Sequence, residues 1–287
     1  MGRSTVGKST LINALVGTKI AAVSPWPQTT RRRQNAILTL EKAQIIFVDT
    51  PGIHHPLHKL GEFMNVEAAE VLDDCDQALL IVDVSQPPTE EDQLLVDLLH
   101  KLRRSIPVVL ALNKSDLVDA DKLAMHRDQF LSLFSTEKVV AISATEGHNL
   151  QELITLIITS LPESPPFYPE DQLTDLYDRE IVADFIREAV LYNLRAEIPH
   201  SIAVRIDSYK EQPNGITVIS ATLFVERDSQ KGIVIGKEGE MIKRIGTAAR
   251  QRIEAFLGNR IFLELRVKVR KNWRNDPASL RSLGFNL

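Results

Sequence analysis

Residues 2–9 read Gly2-Arg3-Ser4-Thr5-Val6-Gly7-Lys8-Ser9. This G-x-x-x-x-G-K-S spacing constrains the chain more than any other feature, because it calls for a strand-to-helix turn wrapped around phosphate. Gly2 and Gly7 let the backbone close around an anion, with successive N–H groups turned inward. A helix from Lys8 to Val16, stopped by Gly17, brings the positive end of its dipole to the same point. Lys8 is placed to reach β- and γ-phosphates, and the Ser9 hydroxyl to ligate Mg²⁺. Val6 and Thr10 complete the expected nucleotide-binding stretch.

The remaining chain reads as alternating strands and helices. Gln34–Leu40 and Gln44–Val48 flank Glu41-Lys42-Ala43 as a hairpin. Ala78–Val84 and Pro107–Leu112 are continuous apolar runs, as strands covered on both faces require, and Val139–Ile142 is a shorter one. Helical periodicity falls at about 61–73, 89–104, 121–134 and 149–160. The expected class is α/β, with a mostly parallel sheet. The 287 residues fit two domains at about 150 residues each. The boundary falls at a stretch with Pro162, Pro165, Pro166 and Pro169, which excludes helix and favours a stiff extended linker. The expected layout is 1–160, a linker at 161–175, and a second domain at 176–287.

Four further loops of the first domain carry chemistry, and three of them follow strands. Asp49-Thr50-Pro51-Gly52 places a carboxylate for Mg²⁺, and an N–H at Gly52 to sense a γ-phosphate. Asn113-Lys114-Ser115-Asp116 follows the next run but one, with Asn113, Lys114 and Asp116 the expected nucleotide contacts. The acceptor-only Asp116 side chain can take two hydrogen bonds from guanine, whose N1–H and amine form a donor pair that adenine lacks. Backbone N–H groups of Ser143-Ala144-Thr145 are expected to face the guanine O6. Thr29-Thr30 lie in a polar loop, with Thr30 a second hydroxyl ligand to Mg²⁺. Lys8, Thr30 and Gly52 are thus the expected catalytic set. Ser9, Thr30 and Asp49 form the expected metal set. His54, His55 and His58 lack the spacing and partners of a tetrahedral zinc site and read as a solvated loop.

The set GRSTVGKS, TTR, DTPG, NKSD and SAT resembles the translation-factor-related GTPases. That resemblance implies binding of GTP and GDP with Mg²⁺, and hydrolysis of GTP. Ile53 stands where Ras-type enzymes carry a water-orienting Gln. The resemblance therefore implies slow intrinsic turnover. Ser4 and Thr5 replace the Pro and Asn of the related pattern GRPNVGKS. That Asn is associated with potassium, so Thr5 argues against potassium activation.

The second domain reads helix, strand, strand, helix, helix, strand. Leu176–Ile198 is amphipathic through Ile181, Phe185, Val190, Leu191 and Leu194. Ser201–Ser208 and Thr217–Val225 flank a Pro-Asn-Gly turn at 213–215. Ile235-Gly236-Lys237-Glu238-Gly239 then opens a long helix, Glu240 to Phe256, followed by the strand Ile261–Val269. This order with G-x-x-G resembles a type II KH domain, whose loop clamps a single-stranded backbone of about four nucleotides. Gly236, Lys237, Glu238, Gly239 and Lys243 are the expected RNA contacts, with Ile235 and Ile242 as an apolar floor for bases. Residues 229–274 hold twelve basic and four acidic side chains, a local +8 in a chain of net −4. Such asymmetry is an electrostatic footprint for nucleic acid.

A GTPase followed by a Pro-rich linker and a type II KH domain resembles the bacterial Era family over essentially the whole chain. Gln28-Thr29-Thr30-Arg31 and Leu60-Gly61-Glu62-Phe63-Met64 add to the likeness. The resemblance implies a monomeric assembly factor that binds the single-stranded 3′ end of 16S rRNA and acts in small-subunit maturation. It also implies a peripheral contact with the cell membrane. The single Cys75 excludes an intramolecular disulfide, and no apolar run or basic leader marks a span or signal. The expected location is the cytoplasm, or peripherally the inner face of the membrane. Two readings stand beside this one: a related GTPase acting on another RNA, and a non-enzymatic KH protein with a disabled GTPase half. The last arises because only Met1 precedes Gly2, so the sequence reads as lacking the buried strand that feeds a phosphate loop. The expectation is a core opened mid-sheet, with ladder groups unpaired on both sides.

Overall fold

The computed structural model describes residues 1–285; residues 286 and 287, at the end of the expected second domain, lie outside them. The chain divides into two compact units. One holds Met1–Lys19, Thr30–Leu57 and Met64–Asp175, and the other Ile20–Thr29, His58–Phe63 and Leu176–Leu287. The proline-rich stretch belongs to the first unit rather than standing free as a spacer. Gln44 Nε2 donates to the Tyr168 carbonyl at 2.9 Å, and the Ile37 N–H to the Leu173 carbonyl at 2.8 Å.

The first unit begins with α1 (Lys8–Val16), ended as expected by Gly17 in the left-handed region. β1 (Gln34–Leu40) and β2 (Ala43–Asp49) pair antiparallel across the two-residue turn Glu41-Lys42. Then come α2 (Lys59–Asp74), β3 (Ala78–Asp83), α3 (Glu90–His100), β4 (Val108–Asn113), α4 (Ala120–Phe134), β5 (Val139–Ala141) and α5 (Leu150–Ile158). β3, β4 and β5 form a parallel sheet in that order. Both faces of its strands are apolar, so Leu80, Val82, Leu110 and Leu112 are fully buried with Leu95 and Phe130 from the covering helices. Asp92 caps α3 by accepting from the N–H and hydroxyl of Thr89, and Asp119 caps α4 by accepting from the Lys122 N–H. α3 stops at His100, short of the expected 104, because the apolar stripe gives way to the polar run Arg103-Arg104-Ser105.

The mostly parallel sheet expected here is present in β3–β4–β5, beside the antiparallel pair β1–β2. β1–β2 and β3–β4–β5 share no ladder. Between them Met1 donates its ammonium to the Leu79 carbonyl at 2.7 Å and accepts from the Ile81 N–H at 2.8 Å. β2 and β3 are thus not hydrogen-bonded to each other.

The second unit has an uninterrupted sheet. α6 (Asp178–Asn193), β6 (Ala203–Glu211), β7 (Thr217–Val225), α7 (Asp228–Ile235), α8 (Glu240–Leu257), β8 (Ile261–Val269) and α9 (Pro277–Ser282) follow in turn. β7 is central, antiparallel to β6 and parallel to β8. Ile219, Leu223, Ile181, Phe185, Ile245 and Ile253 make its core. α6 ends at Asn193 rather than Ile198, since Leu194 is extended and a short turn begins at Pro199. Trp273 is fully buried and donates its indole N–H to the Ser201 carbonyl at 2.8 Å. Segments 20–29 and 58–63 join this unit through specific bonds. Arg187 donates to the Gln28 and Thr29 carbonyls, the Val23 N–H to Glu188, and the Leu60 N–H to the Arg274 carbonyl.

Candidate functional site

The phosphate-type loop closes as its glycines require. A Cβ at Gly2 would sit 2.2 Å from the Ile81 carbonyl oxygen, and one at Gly7 would sit 2.3 Å from Asn113 Nδ2. Both have positive φ, 159° at Gly2 and 99° at Gly7, so backbone freedom and close packing demand the same residue. Gly7 ends the loop at the N-terminus of α1. Val6 is buried, while Thr10 is half-buried on the first turn of the helix. Lys8 lies across the loop, with its Nζ donating to the Arg3 carbonyl at 2.8 Å and the Gly2 carbonyl at 3.2 Å. Burial pulls its ammonium down to about 8 against the opposing pull of Asp49. A buried ammonium whose neighbouring carboxylates do not offset its desolvation is a site for an anion.

Three oxygen-bearing side chains from separate segments converge beside Lys8. Ser9 Oγ donates to Asp49 Oδ2 at 2.6 Å, Thr30 Oγ1 donates to the same oxygen at 3.3 Å, and the two hydroxyls are 3.0 Å apart. Asp49 Oδ1 is buried with no hydrogen-bond partner. Burial raises the Asp49 carboxyl above its ordinary range, although Ser9 and Lys8 oppose that. An orphaned carboxylate oxygen among hydroxyls is a hard, all-oxygen donor set, and it fits Mg²⁺ rather than zinc or copper. The sequence expectation of Ser9, Thr30 and Asp49 as one metal set is thus a juxtaposition in space.

Gly52 is buried, and a Cβ there would lie 2.7 Å from Ser4 Oγ and 2.8 Å from the Ser4 backbone. Ile53 follows with its side chain in the core and its N–H donating to the Gly2 carbonyl at 3.3 Å. The side chain after Gly52 therefore presents no group to a water molecule. His54 corrects the solvated-loop expectation: it is buried, with Nδ1 2.8 Å from the Gly52 carbonyl oxygen, while His55 is exposed. Among the described residues no cluster of His, Cys, Asp and Glu forms a further metal site.

On the other side of the loop, Asn113 acts as a brace. Its Nδ2 donates to the Val6 carbonyl at 2.8 Å and its Oδ1 accepts from the Ala144 N–H at 2.9 Å. The sequence points to Asn113 as a direct nucleotide contact, but this amide ties two loops together. The bonding also narrows the expected donor set at 143–145. The Ala144 N–H is engaged by Asn113 and the Ser143 N–H by the His148 carbonyl, leaving the Thr145 N–H. Lys114, in the left-handed region at φ 66°, pairs with Asp83 at 2.6 Å. Burial alone would raise the Asp83 carboxyl, but bonds from Lys114 and Ser85 outweigh it and hold it below its usual range. Asp116 is exposed at the rim. Sequence reasoning misses the Asn113 brace and the Asp83 partner, because neither contact is local in sequence.

In the second unit the loop between α7 and α8 is built on unusual backbone. Gly236, Glu238 and Gly239 have φ of 75°, 52° and 81°. A Cβ at Gly236 would meet Met241 Cβ at 2.7 Å, so this glycine is required by its own fold. Nothing lies within 4 Å of a Cβ at Gly239, which leaves open space over the loop. Lys237, Glu238 and Lys243 are exposed, and Ile235 and Ile242 are half-buried beside them. Backbone N–H groups at the start of α8 and two lysines thus surround an accessible, partly apolar ledge.

The 50S ribosome-binding GTPase family matches residues 1–114, and the KH domain family matches residues 197–274. A curated protein named GTPase Era, from Heliobacterium modesticaldum, is 46% identical over 286 residues, covering 100% of this chain and 95% of that protein. The GTPase Era of Carboxydothermus hydrogenoformans is also 46% identical over 286 residues, covering 99% and 95%. A crystal structure of an Aquifex aeolicus Era variant bound to GDP·AlF4⁻ superposes with TM-score 0.94 at 37% identity, covering 100% of this chain and 97% of that one. Era in complex with MgGDPNP and nucleotides 1506–1542 of 16S ribosomal RNA gives TM-score 0.94 at 38% identity, with the same coverage.

Proposed function

The chain belongs to the Era family of GTP-hydrolysing enzymes, and from that premise we propose that it is an assembly factor of the small ribosomal subunit. In this reading it holds GTP with Mg²⁺ in its first unit and the single-stranded 3′ end of 16S rRNA in its second. The observation that carries the reading is the meeting of Ser9, Thr30 and the orphaned Asp49 oxygen beside the buried Lys8.

Each residue then has a defined task. The loop from Gly2 to Gly7 wraps the phosphates with its N–H groups, and Lys8 leaves the Gly2 and Arg3 carbonyls for phosphate oxygens. Ser9 and Thr30 give hydroxyl oxygens to Mg²⁺, with Asp49 holding it directly or through water. When bound, Mg²⁺ neutralises charge that develops on the β- and γ-phosphate oxygens. Gly52 offers its N–H towards the γ-phosphate. Asp116 accepts from guanine N1–H and amine, and the Thr145 N–H faces O6. Asn113 and Lys114 hold these loops in place. Hydrolysis is slow because Ile53 is packed in the core and orients no water. Thr5, at φ 62°, gives no reason to add potassium to the cofactors.

The Gly236–Gly239 loop clamps RNA backbone, with Lys237 and Lys243 on phosphates and Ile235 and Ile242 beneath bases. The bound 16S nucleotides in the solved Era complex support this choice of RNA. Among the described residues no helix is long and apolar enough to cross a membrane. By family likeness the protein works in the cytoplasm, as a monomer, with a peripheral contact at the inner membrane face.

The test is fluorescence anisotropy with a labelled 16S 3′-end oligonucleotide and a tRNA competitor. The 16S strand is expected to bind at least about tenfold tighter, a difference of about 1.4 kcal/mol. Gly239→Asp is expected to weaken it by about the same factor while leaving nucleotide affinity unchanged. Equal affinity for tRNA would redirect the reading to another RNA.

A further inference from the structure

The base side of the site is stitched together from the ends of three neighbouring strands. β3 and β4 run parallel and finish side by side, with Asp83 opposite Asn113. The Val84 N–H donates to the Asn113 carbonyl at 2.9 Å, and the Ser115 N–H donates to the Ile142 carbonyl, just beyond β5, at 3.1 Å. Lys114 stands between these two anchors in the left-handed region, with φ 66° and ψ 33°. It caps the 3₁₀ turn Ser115–Leu117, which carries Asp116. A residue with a side chain enters that region at a cost, because its Cβ crowds the following carbonyl oxygen. Neither Gly nor Asn, which tolerate the conformation, occupies the position, so a contact must hold it.

Asp83 supplies that contact. Its Oδ2 accepts from Lys114 Nζ at 2.6 Å and from Gln86 Nε2 at 3.2 Å, and its Oδ1 accepts from the Ser85 N–H at 3.0 Å and the Ser85 hydroxyl at 2.5 Å. Donors on both oxygens leave this buried carboxylate one orientation, and the charge-assisted bond to Lys114 is the strongest of the set. Burial pushes the Asp83 carboxyl up, but the bonds from Lys114 and Ser85 outweigh it and keep the group ionised. Two residues beyond Lys114, the Asp116 carboxylate is exposed and takes no hydrogen bond or ion pair from the described residues. It needs that freedom, because guanine presents it with two donors. A lysine on a flexible four-carbon stem two positions away is a ready competitor for the same oxygens. With its ammonium committed to Asp83, Lys114 does not compete.

Resting on the guanine-nucleotide reading of this unit, we propose that Asp83 is a positioning residue for base selectivity. By holding the Lys114 ammonium it fixes the left-handed turn that aims Asp116 at the base, and it keeps that carboxylate free for the guanine N1–H and amine. Asp83 acts only through Lys114 and touches neither base nor phosphate. The phosphate loop has its own supports in Lys8 and Asn113, so loss of Asp83 acts on the base and leaves the phosphates alone. Without Asp83 the turn at Lys114 relaxes, and the released ammonium is free to pair with Asp116 in place of guanine.

The experiment displaces fluorescent GDP with GDP, IDP or inorganic triphosphate from full-length chains: the parent, Asp83→Ala, Asp83→Asn, Lys114→Met and the double variant Asp83→Ala/Lys114→Met. IDP lacks the guanine amine, so the GDP-to-IDP affinity ratio reports how well Asp116 meets both donors. Asp83→Ala is expected to weaken GDP about tenfold and IDP about threefold, with the affinity for inorganic triphosphate unchanged. Asp83→Asn keeps an acceptor for Ser85 but loses the charge, so its ratio should fall between those of the parent and Asp83→Ala. It carries the test if the alanine variant folds poorly. In the Lys114→Met background, loss of Asp83 should cost GDP less than about twofold. A carboxylate that merely shapes the Ser85–Gln86 turn would cost the same in both backgrounds, and that result overturns the proposal. An unchanged GDP-to-IDP ratio in both Asp83 variants also overturns it, while leaving the guanine site itself standing. No binding of fluorescent GDP by the folded parent would overturn the guanine reading, and the proposal with it.

Discussion

The two sheets of this chain meet the same demand, burying an apolar surface and pairing every backbone group, in different ways. In the second unit β7 has a partner on each side, and α6 and α8 cover the sheet with fully buried residues such as Ile181, Phe185 and Ile245. In the first unit the strands that end at the site fall into a two-stranded and a three-stranded group. Asp49, the centre of the oxygen set, ends a strand of the smaller group, whereas Asn113 ends a strand of the larger. The hairpin β1–β2 packs against α1 and is tied to the proline-rich stretch through the Ile37 N–H and the Leu173 carbonyl. The metal side of the site thus ends an antiparallel pair and the base side a parallel sheet. The contrast teaches that one site can be assembled from the strand ends of two hydrogen-bonded groups, whereas the second unit presents its loop beside a single sheet.

The largest expected effect breaks the stronger region. Trp273→Ala removes a fully buried ring and its bond to the Ser201 carbonyl, and should cost the second unit about 3–5 kcal/mol. Urea unfolding followed by nucleotide binding and by far-UV circular dichroism checks this. The second unit should melt early, with nucleotide affinity retained. Next, Lys8→Ala removes the cation at the centre of the phosphate loop. Nucleotide affinity should fall at least about 100-fold, about 2.8 kcal/mol, with RNA affinity unchanged. A parallel loss of RNA binding would show that the two regions are not separable. The smallest effect sharpens the account of turnover. Ile53→Gln places an amide in the core rather than at a water, so stability should drop by about 1–3 kcal/mol while kcat stays within about threefold of the parent. An increase of tenfold or more in single-turnover hydrolysis would contradict the buried placement.

Much of the fold and of the site is legible in the residues themselves. The glycines of both loops stand out, and Gly2, Gly7, Gly236 and Gly239 all adopt positive φ. Periodicity places α4 within a residue, and the loop motifs place α1 and α8 as closely, because each loop opens a helix directly behind its last glycine. What escapes is contact between residues far apart in the chain. The Asn113 amide reaches Val6 and Ala144, and nothing in Asn-Lys-Ser-Asp distinguishes a brace from a ligand. His54 lies in a polar run that reads as solvated, yet its ring is buried against the Gly52 carbonyl. Segments 20–29 and 58–63 carry no period that would assign them to the second unit. Their place comes from Arg187, Glu188 and Arg274, more than a hundred residues away.

The central claim is that the first unit is a guanine-nucleotide site, with Lys8 on phosphate and Ser9, Thr30 and Asp49 as the oxygen set. The most direct measurement is a titration of the full chain with fluorescent GDP in Mg²⁺, using unlabelled GTP and ATP as competitors. The account predicts saturable binding displaced by GTP and not by ATP, and weakened when Mg²⁺ is removed in the presence of GTP. Equal displacement by ATP, or no binding by a chain whose circular dichroism shows it folded, would contradict it.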